Sequence, residues 1–233
     1  MKRNQSGFTL IEIAIVLVII GLLLGGVLKG QELINSAKVK NLSTDFKNIP
    51  VFIYGYQDKF KALPGDDAHA TDHLGATICV APCKDSTASN GVIGGSSATD
   101  TWESTTANDE TQQFWIHARL AGLAPGPTSG QSDYRPTNSA DGRIGIQSNI
   151  KTAGNGQFTT IVQDSTGGAS LMTGTYIICS TQILGKYVKQ LDTQMDDGNT
   201  DTGSMRVADG ATGKSMKTSN IDDGTSYTVC MGF

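Results

Sequence analysis

Between Ile13 and Leu28 the chain carries no charged residue, and from Phe8 to Leu28 only Thr9 and Glu12 are polar. As a helix this stretch spans roughly 30 Å, the thickness of a bilayer's hydrocarbon core. Few environments accept such a run: a membrane, or the dry interior of an assembly. Lys2 and Arg3 precede it, so the positive-inside rule places the N-terminus in the cytoplasm and the bulk of the chain outside. A secretory signal carries its small-residue cleavage site after the apolar core. Here no convincing site follows the core, and the small residue, Gly7, precedes it. A cut after Gly7 would release "MKRNQSG", leave the apolar helix on the product and create a free amine on Phe8.

The hexapeptide "GFTLIE" at 7–12, followed by this apolar run, resembles the prepilin signature of type IV pilins and type II secretion pseudopilins. The resemblance implies cleavage after Gly7 by a membrane peptidase and N-methylation of Phe8 by the same class of enzyme. It also implies that Glu12 is the residue used in assembly. Physical chemistry fits this role. A carboxylate inside a membrane costs on the order of 2.5–3.5 kcal/mol on insertion scales. The unpaired N–H groups and dipole of a helix N-terminus offset part of that. The remainder asks for a cation, and the nearest is the Phe8 amine that cleavage creates. In a helical stack, Glu12 of one subunit would meet the Phe8 amine of its neighbour and select axial register.

Beyond Leu28 the pattern changes to a stripe. Leu42, Phe46, Ile49, Ile53, Tyr56, Phe60 and Leu63 recur at alternating spacings of four and three, one face of an α-helix. The expected helix runs from Phe8 to about Lys61, roughly 80 Å at 1.5 Å per residue. Its first half, 8–28, spans membrane or packs in a filament core. Its second, 29–62, lays the stripe on a globular head at 63–233. Pro50 removes a backbone donor and is expected to kink the helix. Gly21, Gly25 and Gly26 either weaken the apolar half or permit close helix packing. "LPGDD" at 63–67 ends the helix with two breakers.

The head is rich in Gly, Ser, Thr, Asn and Asp, a composition suited to a loop-rich, partly β, extracytoplasmic domain. Residues 64–110 read as loop, with "GVIGGSSATDT" as linker or hairpin material. "NDETQQFWIHARLAGLAPG" reads as a short helix, capped by Asn108 or Asp109, burying Phe114, Trp115, Ala118 and a leucine, and stopped by Pro125 and Gly126. "GRIGIQSNI", "QFTTIVQ" and "GTYIICS" read as strands. "TQILGKYVKQLDTQM" reads as a second helix, and "SYTVCMGF" as the last strand. The expected fold is α+β and pilin-like: a long N-terminal helix packed on an antiparallel β-sheet head with short extra helices. "ALPGDD" together with the later "FWIHARLAGL" is similar to a subgroup of larger prepilin-type proteins.

Four cysteines, 79, 83, 179 and 230, suggest disulfides in an exported domain, with three pairings open. Cys79–Cys83 with Cys179–Cys230 is the favoured set. The first would pin a tight loop, and the second would tie two strands and contribute about 4 kcal/mol in the chain-entropy model. A rival is a zinc site of His69, His73, Cys79 and Cys83. Asp196, Asp197, Asn199 and Asp201 offer oxygen ligands suited to Ca2+, without EF-hand spacing; an acidic turn capping its own backbone accounts for the same residues. No other cofactor is implied.

Catalytic signatures are missing from the sequence. "GATGKS" at 210–215 lacks the P-loop's four residues between glycines, no G-x-S-x-G occurs, and His117 reads as structural. The net charge is −4 without a Lys/Arg cluster, which argues against nucleic acid as a partner. The expected function is therefore non-enzymatic: a structural subunit of a type IV pilus or related filament in the bacterial inner membrane. Its partners would be the prepilin peptidase/methyltransferase, other pilin subunits and the inner-membrane assembly platform. The alternatives are a pseudopilin of a type II secretion or DNA-uptake machine, or a minor pilin whose head binds a surface ligand. The size of the head favours a minor or specialised role.

Overall fold

The computed structural model describes residues 9–87, 89–94, 101–149, 172–208 and 214–233. Two compact units divide the chain, Met1–Lys38 and Val39–Phe233. Gly7, Phe8 and the expected strand "QFTTIVQ" lie outside the described residues.

Helix α1 occupies Leu10–Phe60 and remains helical across Pro50. In the first unit its apolar side chains are exposed on every face, Leu10, Leu17, Leu22 and Leu28 among them. The helix is long and apolar enough to cross a membrane. In the second unit the stripe is buried: Val39, Leu42, Phe46, Ile49, Ile53 and Tyr56 point into the main core. Burying a large apolar side chain is worth about 1.5–3 kcal/mol, so this half of α1 is held by packing.

"Leu63-Pro-Gly-Asp66" forms the turn that ends the helix. The Asp66 N–H donates to the Leu63 carbonyl at 3.2 Å, with Pro64 and a positive-φ Gly65 at the centre, the type II arrangement. A short helix, α2 (Ala70–Leu74), follows inside the stretch expected to be loop. Helix α3 spans Glu110–Leu120. Among the described residues four antiparallel strands come next: β1 (Ile144–Ser148), β2 (Tyr176–Leu184), β3 (Met205–Ala208) and β4 (Ser226–Gly232), with α4 (Gly185–Met195) after β2. The sheet order is β1-β2-β4-β3. One face carries Ile146, Ile178 and Val229 into the main core with α1. The other carries Ile177, Cys179 and Cys230 into a smaller cluster under Trp102 and Met172. This is the α+β, pilin-like architecture expected from the sequence.

Two boundaries differ from expectation. "TQIL" (181–184) is strand, not the first turn of α4. After a shift in register between Ser180 and Ile183, Ile183 and Leu184 pair with Tyr227 and Ser226, and Gln182 takes a positive φ of 60°. Sheet pairing overrides the helical pattern there. Helix α3 does not bury one face only: every residue from Glu110 to Arg119 is buried. Its polar side chains reach across to neighbouring loops, as described next.

Candidate functional site

At the head of α1, the "TLIE" of "GFTLIE" closes a capping box. The Thr9 N–H and hydroxyl donate to Glu12 Oε2 at 2.8 and 2.6 Å, and the Glu12 N–H reaches back to Thr9 Oγ1 at 3.4 Å. Glu12 therefore already has partners within its own chain. The S/T-x-x-E signal for this arrangement was present in the sequence, a second reason for a carboxylate at this position. Beyond it the apolar half of α1 is exposed, as befits a segment whose covering is lipid or other subunits.

In the head, the two sequence motifs meet. Gly65 of "LPGDD" donates its N–H to His117 Nδ1 of "FWIHARL" at 3.1 Å. The other ring nitrogen, Nε2, lies 3.0 Å from the Lys84 carbonyl. An acceptor at Nδ1 and a donor at Nε2 define a neutral imidazole. Burial pushes its pKa down to about 4, against the opposing pull of the Lys84 hydrogen bond and of Asp67 and Asp85. His117 is structural, as read from the sequence. A Cβ on Gly65 would sit 2.5 Å from the Glu110 carbonyl, so α3 crosses this turn only because residue 65 is glycine.

The acids of "LPGDD" are buried and fully engaged. Asp66 accepts from the N–H groups of Gly91 (2.6 Å) and Asn90 (3.1 Å) and from Ser86 Oγ (3.2 Å). Asp67 accepts from Tyr56 Oη (2.8 Å) and the His69 N–H (2.9 Å), and its Oδ2 lies 2.8 Å from His73 Nδ1. Burial pushes the Asp67 carboxyl up, but bonds from His73, His69 and Tyr56 outweigh it and hold it below the ordinary range. From α3, Glu110 accepts from the Gly94 N–H and shares the one Ser86 hydroxyl proton with Asp66. Gln113 donates to the carbonyls of Pro82 and Ala107, and Gln112 accepts from the Tyr134 N–H. These polar side chains clasp the loops to the end of α1. Apart from Tyr56, His69 and His73 for Asp67 and Ala107 for Gln113, their partners lie 16 or more residues away, so no periodicity signalled them.

The structure joins Cys79 to Cys83 and Cys179 to Cys230. Cys179 and Cys230 face each other across β2 and β4. With both sulfurs of the first pair bonded, the zinc set of His69, His73, Cys79 and Cys83 is overturned. Among the described residues no three His, Cys, Asp or Glu side chains group as a metal site. In the acidic loop, Asp196 accepts from Ser204 Oγ and the Met205 N–H. Asp197 accepts from the Asn199 N–H and Thr202 Oγ1, while the Asp201 carbonyl accepts from Ser215 Oγ. The Asp197–Asn199 contact caps a turn; the Asp196 and Ser215 contacts tie the loop to residues 8 to 14 positions away.

Beside that loop lies an acid the sequence reading missed. Asp192 of α4 is fully buried, at 0% exposure, and among the described residues neither carboxylate oxygen has a hydrogen-bond partner. Burial, reinforced by Asp196 and Asp197, raises its pKa to about 6; the nearby backbone N–H groups of Gly198 and Asn199 offset part of this.

Residues 2–28 match the prokaryotic N-terminal methylation motif, the signature of type IV pilins and pseudopilins. No curated protein and no solved structure gives a match. With the exposed apolar half of α1, which among the described residues is the one helix long and apolar enough to cross a membrane, the motif supports a type IV pilin-like or pseudopilin subunit. It points to a structural subunit, and it implies processing by prepilin peptidase and assembly with other pilin subunits.

Proposed function

We propose that this chain is a structural subunit of a type IV pilus or related filament. It is inserted in the bacterial inner membrane with its head outside the cytoplasm, cut after Gly7, N-methylated on Phe8 and assembled through α1. The observation that carries this is the methylation motif at residues 2–28, continued by a helix whose apolar side chains are exposed. In the filament, Glu12 exchanges its contacts with Thr9 for the Phe8 amine of the next subunit. The assembly platform of the inner membrane is the remaining partner.

Expression of Gly7→Ala beside the native chain tests the processing step. The variant is expected to stay at precursor size and to be missing from sheared surface filaments. Normal assembly of full-length precursor would refute the proposal. Filaments unchanged by deletion of the gene, with loss of exoprotein secretion, would assign the subunit to a secretion pseudopilus instead.

A further inference from the structure

Three histidines occur in the chain. His117 is buried with both ring nitrogens bonded. The other two stand side by side: His69 at the N-cap of α2 and His73 in its last turn, ring centroids 6.2 Å apart. We propose that His69 and His73 form a two-histidine site for a late first-row divalent cation such as Zn2+.

The ring of His73 is set for this role. Asp67 Oδ2 lies 2.8 Å from its Nδ1. The other groups touching that carboxylate, Tyr56 Oη and the His69 N–H, are donors, so Asp67 acts as the anionic acceptor and Nδ1 carries the proton. Nε2 is left with its lone pair. A carboxylate behind an imidazole in this way fixes the tautomer and the ring orientation. Phe60 stacks on the ring at 5.4 Å and holds its plane. His69 is the adaptable ligand, its side chain 72% exposed, with Asp72 Oδ2 3.8 Å from its Nδ1.

The ring-centroid separation of 6.2 Å, with the planes at 65°, is about 1 Å longer than chelation needs. A metal about 2.0–2.1 Å from nitrogen lies roughly 3.2 Å from each ring centre, so two imidazoles at a tetrahedral angle have centroids about 5 Å apart. His69 must swing in by about 1 Å, which an exposed side chain can do. Both histidines line a cleft of about 370 Å³ that also holds Asp66 and Asp67, with room for water at the open coordination positions. The acids favour a cation; Lys61 on the same wall opposes it but pairs with Asp58. Imidazole ligands select Zn2+, Cu2+ or Ni2+ over Mg2+ and Ca2+.

The test is calorimetric titration of the untagged full chain in detergent micelles with ZnCl2. One Zn2+ per chain is expected, undisplaced by equimolar Mg2+ or Ca2+. His69→Ala and His73→Ala should each weaken binding at least tenfold, and Asp67→Asn by about 10–100-fold, as for other partners behind a ligating histidine. His69→Ala alters an exposed side chain and decides the matter if Asp67→Asn does not fold. No binding by the native chain, unchanged affinity in His69→Ala, or displacement by Ca2+ would each overturn the proposal.

Discussion

Replacing Asp192 with Asn should give the head a stability that rises with pH between 4 and 6.5, where that of the native chain is nearly flat. Asp192 is buried without hydrogen-bond partners among the described residues, and its pKa is raised from 3.8 to about 6. A raised carboxyl pKa means the folded state holds a proton that the unfolded state has released. The stability it contributes is present below about pH 4 and is lost as pH rises through 6. Roughly two units at 1.36 kcal/mol each set this loss at no more than about 3 kcal/mol. His117 works the other way, its pKa lowered from 6.5 to about 4. Its contribution is present above 6.5 and lost as pH falls through 4, again by about 3 kcal/mol. In the native chain the two slopes nearly cancel between pH 4 and 6.5. Asp192→Asn removes one of them. The variant should exceed the native chain at pH 7, by up to roughly 6–12 °C in Tm for a domain of this size, and lose that advantage as pH falls to 4. Intrinsic tryptophan fluorescence during thermal unfolding of the full chain in micelles, at half-unit pH intervals, reads this out. Asp45, also raised by burial despite bonds from Ser139, is common to both proteins and drops out of the difference. Parallel curves from pH 4 to 7 would mean that Asp192 is ionised and satisfied in the fold, and the reasoning would fail.

Other outcomes follow from contacts already described. Gly65→Ala places a Cβ 2.5 Å from the Glu110 carbonyl at a φ of +92°; it should cost more than about 2 kcal/mol, read as a lower urea midpoint. The double variant Cys179→Ser, Cys230→Ser opens a cross-link of 51 residues' separation and should lower stability by about 4 kcal/mol, measured by urea unfolding under non-reducing conditions. Thr9→Ala removes the capping hydroxyl and keeps Glu12. It should weaken the start of α1 by about 0.5–2 kcal/mol, seen as faster amide exchange at residues 10–13, while Thr9→Ser should retain native exchange.

What was legible in the sequence was what repeats or punctuates. The 42–56 stripe gave the buried face of α1 residue by residue, because a single helix face against a core imposes its period. "LPG" marked the end of that helix through its own turn chemistry. β1, the start of β2, and β4 were visible as β-branched runs. The failures occurred where distant partners decide. "TQIL" fits a helix locally and becomes strand because Ile183 and Leu184 find Tyr227 and Ser226. Helix α3 was read with one buried face because Glu110, Gln112 and Gln113 look solvated until the loops they bind are known. Asp192 looks like any polar helical residue until α4 is seated on the sheet. The capping box is a local signal, Thr9 and Glu12 three residues apart, at a position where the cost of a carboxylate in a membrane gives a separate reason for the acid.

The place of β4 sets the order in which the head can be made. β4 is an inner strand, and among the described strands β3 joins the sheet through it alone. Until residues 226–232 have emerged, β1 and β2 form a bare antiparallel pair and β3 has no neighbour among the described strands. Sheet closure therefore comes late, and it joins segments far apart in the chain, the slow kind of contact. Oxidation follows the same schedule. Cys79 and Cys83, four residues apart, emerge together and can pair early. Cys179 then waits for Cys230 with no competing thiol, so the timing of emergence itself guards the pairing that locks the finished sheet.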